Sequence, residues 1–346
     1  MLNIELLSQI CELPGAPGFE KEIRNFLITR LQGHCDSLDI DNMGNLIALK
    51  KGRDNSQKLL LTAHMDEIGF IVQHIDEEGF IRFLPLGGFD PKTLTAQRVW
   101  IHGRKTIIGV MGTKPIHIMS PEERNKPAQI KDYFIDTGLS KAELEQIVDV
   151  GDSITRERSL IKMGECINAK SLDNRISVFM LLEAFLAQQD CSVDTYAVFT
   201  VQEELGLRGA RIAANAIAPQ YAINIDTTIA YDVPGATAQE MCTRLGKGIA
   251  IKIMDSSVIP DVRMIKFLKD LCAKHQIEWQ SELLSAGGTD TAVVQMTGNG
   301  CIAGAISVPT RNIHQVIEMV HGKDVAHGID LLKLIINSID QFDRQF

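Results

Sequence analysis

Six residues of this 346-residue chain are of the kinds that hold and use metal ions, and each stands near the edge of an apolar run: His64, Asp173, Glu203, Glu204, Asp226 and His314. A hydrolytic centre with two cations needs a carboxylate shared by both ions, one His and one carboxylate to complete each, and a spare carboxylate to take a proton from water. The chain supplies every part once. Singly, each residue has a plainer reading. A lone His is more often a satisfied polar group than a ligand. Asp173 in Leu172-Asp-Asn-Arg175 could cap the helix that follows, Glu203 and Glu204 could be solvated loop charges before Gly206, and Asp226 could open a turn. Their co-occurrence at separate element edges, in the numbers two cations require, brings the metal reading level with the plainer ones. The other histidines have no comparable setting: His34, His74, His102, His275, His321 and His327 read as structural or surface groups, and His117 as local to its segment. Gly246-Lys-Gly248 and Gly287-Gly288 lack the ending and spacing of a phosphate loop, which argues against a nucleotide site.

The elements that must position these residues alternate. Helical spacing covers Phe19 to Leu31. Asn45 to Leu49 and Lys58 to Ala63, separated by the polar stretch Lys51 to Ser56, predict a hairpin feeding a central strand that ends at His64. From about Gly69 to Ile154 short alternating runs such as Gly69 to Ile75, Phe80 to Leu84, Arg98 to His102 and Thr106 to Met111 predict a small barrel or sandwich. Strands and helices then alternate to the end: helix Arg175 to Gln188, strand Thr195 to Val201, helix Ala210 to Ala218, strand Tyr221 to Ile225, strand Ile249 to Met254, helix Asp261 to His275, strand Ile277 to Glu282, helix Thr289 to Met296, strand Cys301 to Val308 and helix Lys323 to Phe342. The expected fold is α/β, an α/β/α sandwich with an inserted all-β, barrel-like domain. The expected division is residues 1–68 and 161–346 for the catalytic α/β domain and 69–160 for the inserted one. In such sheets ligands collect beyond the carboxyl ends of the strands, where most of the six candidates fall.

Composition narrows the partners. An apolar content of 45% can build a full core, and a net charge of −9 with scattered basic residues argues against nucleic acid. Seven cysteines without paired short spacings suit a reducing compartment, so a cytoplasmic location is expected. No apolar stretch reaches membrane-spanning length, so no membrane partner is expected.

With these residues in hand, the chain resembles the dinuclear aminopeptidases of metallopeptidase family 42, which include glutamyl and deblocking aminopeptidases. The resemblance runs nearly end to end. Ala63-His-Met-Asp-Glu-Ile-Gly69, Lys114-Pro-Ile-His117, Leu172-Asp-Asn-Arg175, Val201-Gln-Glu-Glu-Leu-Gly-Leu-Arg-Gly-Ala210, Ile225-Asp226, Asp232-Val-Pro-Gly235, Gly288-Thr-Asp290 and Ile306-Ser-Val-Pro-Thr-Arg311 carry it. It implies two divalent ions per subunit, zinc or cobalt first and manganese as an option. One ion would be held by His64 and Asp226 and the other by Glu204 and His314, with Asp173 bridging and Glu203 as general base. Asp66, two residues past His64, would be an acid that orients an imidazole ligand or tunes the base. The family also implies short peptides as substrates and a homo-oligomer assembled through the inserted domain, commonly a tetrahedral dodecamer built from dimers. One departure is local: members commonly carry Tyr after the Arg and Ser after the ligand His, whereas this chain reads Arg311-Asn-Ile-His-Gln315. A preference for particular substrate side chains is therefore not transferred. Two other functions fit less of the pattern: a related amidohydrolase, such as a carboxypeptidase or N-acyl amino acid deacylase, and a non-catalytic metal-binding assembly protein. The latter would have no use for the spare Glu203.

Overall fold

The computed structural model of the chain describes residues 2–345. Its seventeen strands are β1 (Ser37–Ile40), β2 (Leu46–Lys50), β3 (Gly52–His64), β4 (Gly69–Ile75), β5 (Ile81–Leu86), β6 (Arg98–His102), β7 (Thr106–Gly112), β8 (Phe134–Asp136), β9 (Ser153–Arg156), β10 (Ile161–Met163), β11 (Cys166–Ala169), β12 (Cys191–Thr200), β13 (Tyr221–Ile229), β14 (Ile249–Met254), β15 (Trp279–Leu283), β16 (Ile302–Thr310) and β17 (Glu318–His321). Eight of them form a central sheet in the order β1-β2-β12-β3-β13-β16-β14-β15. Its inner strands β12, β3, β13 and β16 are all parallel, so their carboxyl ends reach one rim.

The sheet is covered on both faces, which explains the near-continuous apolar run Leu59-Leu-Leu61. Leu59, Leu61 and Ala63 pack into the larger core with α1 (Ile4–Glu12), α2 (Lys21–Leu31), α5 (Leu172–Ala187), α7 (Val262–His275) and α9 (Gly322–Ser338). Leu60 points the other way, with Val198 and Ala222, into a second core under α6 (Arg208–Ile217) and α8 (Thr291–Gln295). The period-2 alternation along β3 thus sets the two helical layers.

Strands β4 to β9 close into a separate antiparallel barrel in the order β4-β5-β8-β7-β6-β9, with its own core of Phe70, Ile81, Val99, Ile101, Ile135 and Ile154 among others. The short helices α3 (Pro121–Arg124) and α4 (Lys141–Leu144) lie in its connections, each opened by a serine capping box. A three-stranded sheet, β10-β11-β17, completes the molecule.

Two expectations change. The segments before and after Lys51 do not pair as a hairpin: β2 runs antiparallel to β12, and β12 lies between β2 and β3. Most of the polar stretch read as a turn belongs to β3, which begins at Gly52 and pairs with β12 from Cys191. The hairpin of this region is instead β1 with β2, closed by Asp41, whose carboxylate accepts the backbone N–H groups of Met43, Gly44 and Asn45. Asp226 also lies within β13, opposite Ser307 of β16, rather than beyond its end.

Candidate metal centre

The four parallel strands deliver the candidates to one place. His64 is the last residue of β3, Glu203 and Glu204 follow β12, Asp226 is in β13, and His314 lies past β16. Asp173 comes from a helix, in the first turn of α5, where its φ/ψ of −79°/103° is non-helical. All six line one cavity of about 440 Å³.

Asp173 sits between the two imidazoles. Its Oδ1 is 3.3 Å from His64 Nε2, and its Oδ2 is 3.3 Å from His314 Nε2. Asp226 Oδ1 is 3.7 Å from His64 Nε2, and Glu204 Oε1 is 3.5 Å from His314 Nε2. Two sets of ligand atoms therefore cluster, His64-Asp173-Asp226 and Asp173-Glu204-His314, each with its atoms within 4.8 Å of one another, and Asp173 is common to both. A third cluster, His64-Glu203-Glu204, meets the same spacing. Glu203 Oε2 lies 3.8 Å from His64 Nε2, farther than Asp173 or Asp226.

Both imidazoles are held by their other nitrogen, which presents Nε2 to the carboxylates. His64 Nδ1 faces the Asp66 carbonyl at 3.2 Å and the Asp66 carboxylate at 3.5 Å, and His314 Nδ1 meets the Gly88 carbonyl, from the barrel, at 2.9 Å. Two buried acids fix the backbone around them. Asp66 accepts the N–H groups of Glu203 and Glu204, both at 3.1 Å. Glu318 accepts those of Asp173 at 2.9 Å and His314 at 2.8 Å. The resemblance pointed to Asp66 beside His64. Glu318 was not singled out, and the only signal for it was a carboxylate four residues after a candidate ligand.

The backbone is left-handed at Ser171, Gln202 and His314, with φ of 60°, 54° and 64°. Such a conformation in non-glycine residues persists only where the surroundings over-determine it. Here Ser171 donates its hydroxyl to Glu67, Glu20 accepts the Gln202 N–H at 3.1 Å, and Glu318 holds His314. Glu67 in turn pairs with Lys170 at 2.7 Å, both fully buried. Arg311 pairs with Asp232 through two contacts of 2.6 and 2.7 Å, joining two of the sequence pieces that carried the resemblance.

The electrostatics are those of buried acids without a matching cation. Burial pushes the Glu203 carboxyl well above its usual range, Glu204 up to about 8 and Asp226 up to about 7; neighbouring carboxylates add to the rise while the histidines oppose it. At His314 burial works downward, but Asp173 and Glu204 overcome it and bring the imidazole to about 9. His64 is likewise held well above its usual value, chiefly by Glu203, Asp173 and Asp66 acting against its burial. Burial also opposes ionisation of Asp173, yet hydrogen bonds from both histidines keep it below the ordinary carboxylate range. Among the described residues, the ion-pair contacts of Asp173, Glu203, Glu204 and Asp226 are with these two histidines alone. Oxygen and imidazole donors with unneutralised buried charge fit divalent cations of the zinc, cobalt and manganese kind.

The family model described as M42 glutamyl aminopeptidase matches residues 44–331. The chain belongs to this M42 family. Its relatives include the lysyl aminopeptidase of Pyrococcus furiosus, 32% identical with 99% of each chain covered. Among solved structures similar to this M42 chain, a TET aminopeptidase from a marine-sediment Thaumarchaeota archaeon superposes with a TM-score of 0.94 at 33% identity, covering 98% of both chains. The Pyrococcus horikoshii TET1 peptidase, which can assemble into a tetrahedron or a large octahedral shell, superposes with a TM-score of 0.87 at 31% identity over 96% of this chain and 99% of its own. The M42 chain is therefore a peptide hydrolase of the aminopeptidase kind, and its mixed α/β fold with a closed six-stranded barrel is that of the TET aminopeptidases.

Proposed function

We propose that the chain releases N-terminal residues from short peptides with two divalent ions, one at His64 and Asp226, the other at Glu204 and His314, bridged by Asp173. The observation that carries this reading is the placement of the two Asp173 oxygens, each 3.3 Å from a different imidazole, with a separate carboxylate beside each. Bound there, the ions would supply Lewis-acid activation of a water and of the scissile carbonyl.

The chain's own groups do the rest. Glu203 is left over once each histidine has a carboxylate partner besides Asp173, which leaves it free to carry a proton between water and substrate. It takes that proton from the water and returns it to the leaving amine. Asp66 holds the Glu203 and Glu204 amides together, so the two side chains keep separate tasks. The acidic cluster attracts the substrate's free α-ammonium, which directs cleavage to the first peptide bond.

The related amidohydrolases need a cation to grip a substrate carboxylate. Among the described residues lining the cavity, Lys252 is the only Lys or Arg, and it already pairs with Glu282 at 2.5 Å and Asp255 at 3.1 Å. That favours the aminopeptidase. The test is hydrolysis of short peptides, free and N-acetylated, by metal-stripped enzyme before and after adding zinc, cobalt or manganese. Metal-restored cleavage of the free peptides alone is the expected result, and cleavage of the acetylated ones would overturn the reading.

The barrel is the proposed assembly domain, with residues 69–160 as its span and a dodecamer built from dimers as its product. Trp100, Ile108 and Val110 support this: they are exposed on one outer face of the β6–β7 pair, where Trp100 lies opposite Ile108. All seven cysteines are free, which agrees with a cytoplasmic setting. Among the described residues no helix is long and apolar enough to cross a membrane.

A further inference from the structure

The cavity extends past the metal-ligand cluster to a second group of charges, supplied by the sheet edge. Lys252 of β14 and Glu282 of β15 stand in register on neighbouring parallel strands, and Asp255 follows β14. All three line the cavity, and all are more than nine-tenths buried. Their formal charges, one positive and two negative, leave a deficit of one positive charge.

The deficit has an address. Asp255 is fully occupied: one oxygen accepts the Ser257 hydroxyl and the N–H groups of Ser257 and Val258, and the other meets Lys252 and the Thr289 hydroxyl. Glu282 uses only Oε1, toward Lys252, and its Oε2 is buried without a hydrogen-bond partner. A buried carboxylate oxygen with no donor costs free energy that an incoming charged donor recovers. The wall of the same cavity also includes Ile229, Leu284, Ala286 and Ile313. Such a wall suits an alkyl stem carrying a charged tip.

We infer, on the footing of the aminopeptidase reading, that this end of the cavity receives the first side chain of the peptide and selects a basic one, lysine or arginine, with Glu282 as its acceptor. A glutamyl side chain would face the net negative charge, and Lys252 is already shared between two carboxylates. A leucyl side chain would leave Glu282 Oε2 unpaired.

The test compares kcat/KM for lysyl-, arginyl-, leucyl- and glutamyl-p-nitroanilides with the metal-loaded enzyme and its Glu282→Gln variant. In parallel, calorimetry measures binding of L-lysinamide and of L-norleucinamide, which lacks the ammonium. The basic anilides should lead the leucyl one by about tenfold or more, and Glu282→Gln should cut the lysyl-to-leucyl ratio by at least about tenfold, mainly through KM. Lysinamide should bind about tenfold tighter than norleucinamide. A glutamyl or leucyl preference in the wild type, or an unchanged ratio in the variant, overturns the inference. Should Glu282→Gln fail to fold, the wild-type ranking decides alone. Silence with every anilide would count against the aminopeptidase reading, and the two amides would then decide the pocket by themselves.

Discussion

Replacing Asp173 by Asn removes the charge from the one carboxylate that faces both imidazoles. The expected result is loss of the two-ion stoichiometry, read by elemental analysis of the purified variant; two ions retained would rule out the bridging role. Glu203→Gln should behave oppositely. Metal content should stay at two per chain while kcat falls by roughly 10²- to 10⁴-fold, because only proton transfer is lost. A drop in metal content would assign Glu203 to the third ligand cluster, with His64 and Glu204, instead. At this scale the sequence was most readable, since ligand-type residues at strand ends are few and their chemistry is distinctive. Glu318 shows the limit. A single Glu in Gln315-Val-Ile-Glu-Met319 looks like any strand charge, and its contact with the Asp173 amide exists only once segments 145 residues apart come together.

Elements matter through the turns that connect them to the site. Gly209 opens α6 directly beneath the loop bearing Glu203 and Glu204; its N–H donates to the Val201 carbonyl at 3.0 Å, and Asn45 bridges its carbonyl to the Val201 N–H. A Cβ there would stand 2.5 Å from the Val201 oxygen and closer still to the Asn45 side chain. Gly209→Ala should therefore cost about 1–3 kcal/mol in urea unfolding and lower kcat by shifting the Glu203 loop. Glu318→Ala removes the clamp between β17, Asp173 and His314, and metal affinity should weaken by about 10- to 100-fold in a chelator competition. Most α/β elements were legible because their periodicity is local. The expected hairpin failed for the opposite reason: β12, which separates β2 from β3, lies some 140 residues further along the chain, and nothing near Lys51 announces it.

For the whole molecule, proton binding and metal binding compete. In the metal-free protein His314 at about 9 lies above its ordinary 6.5, so the stability it contributes is full below 6.5 and is lost as the pH rises through 9. Glu204 at about 8, against an ordinary 4.5, makes the folded chain bind more protons than the unfolded one between those values, which also lowers stability as pH rises. The Tm of the stripped protein should thus decline from about pH 5 to pH 9, while metal affinity climbs over the upper part of that range as protons leave Asp226, Glu204 and His314. Calorimetric metal titrations and thermal melts across pH would show these opposed slopes. On the outer surface, Ile108→Glu with Val110→Glu should shift the protein toward smaller species in light scattering, leaving the barrel folded because both side chains point outward.

The barrel also reaches inward. Its Gly88 carbonyl meets His314 Nδ1 at 2.9 Å, and its Arg156 donates to the His314 carbonyl at 3.1 Å. The barrel is therefore not a cassette that can be cut out or traded between relatives without touching the chemistry. A shortened chain in which a tight turn joins Ile68 to Glu157 would keep five of the six candidate residues on their own strands and helices, but would leave the sixth without its anchor. Substitutions meant to leave the chemistry intact belong on the barrel's outer face, away from the inner one that holds His314.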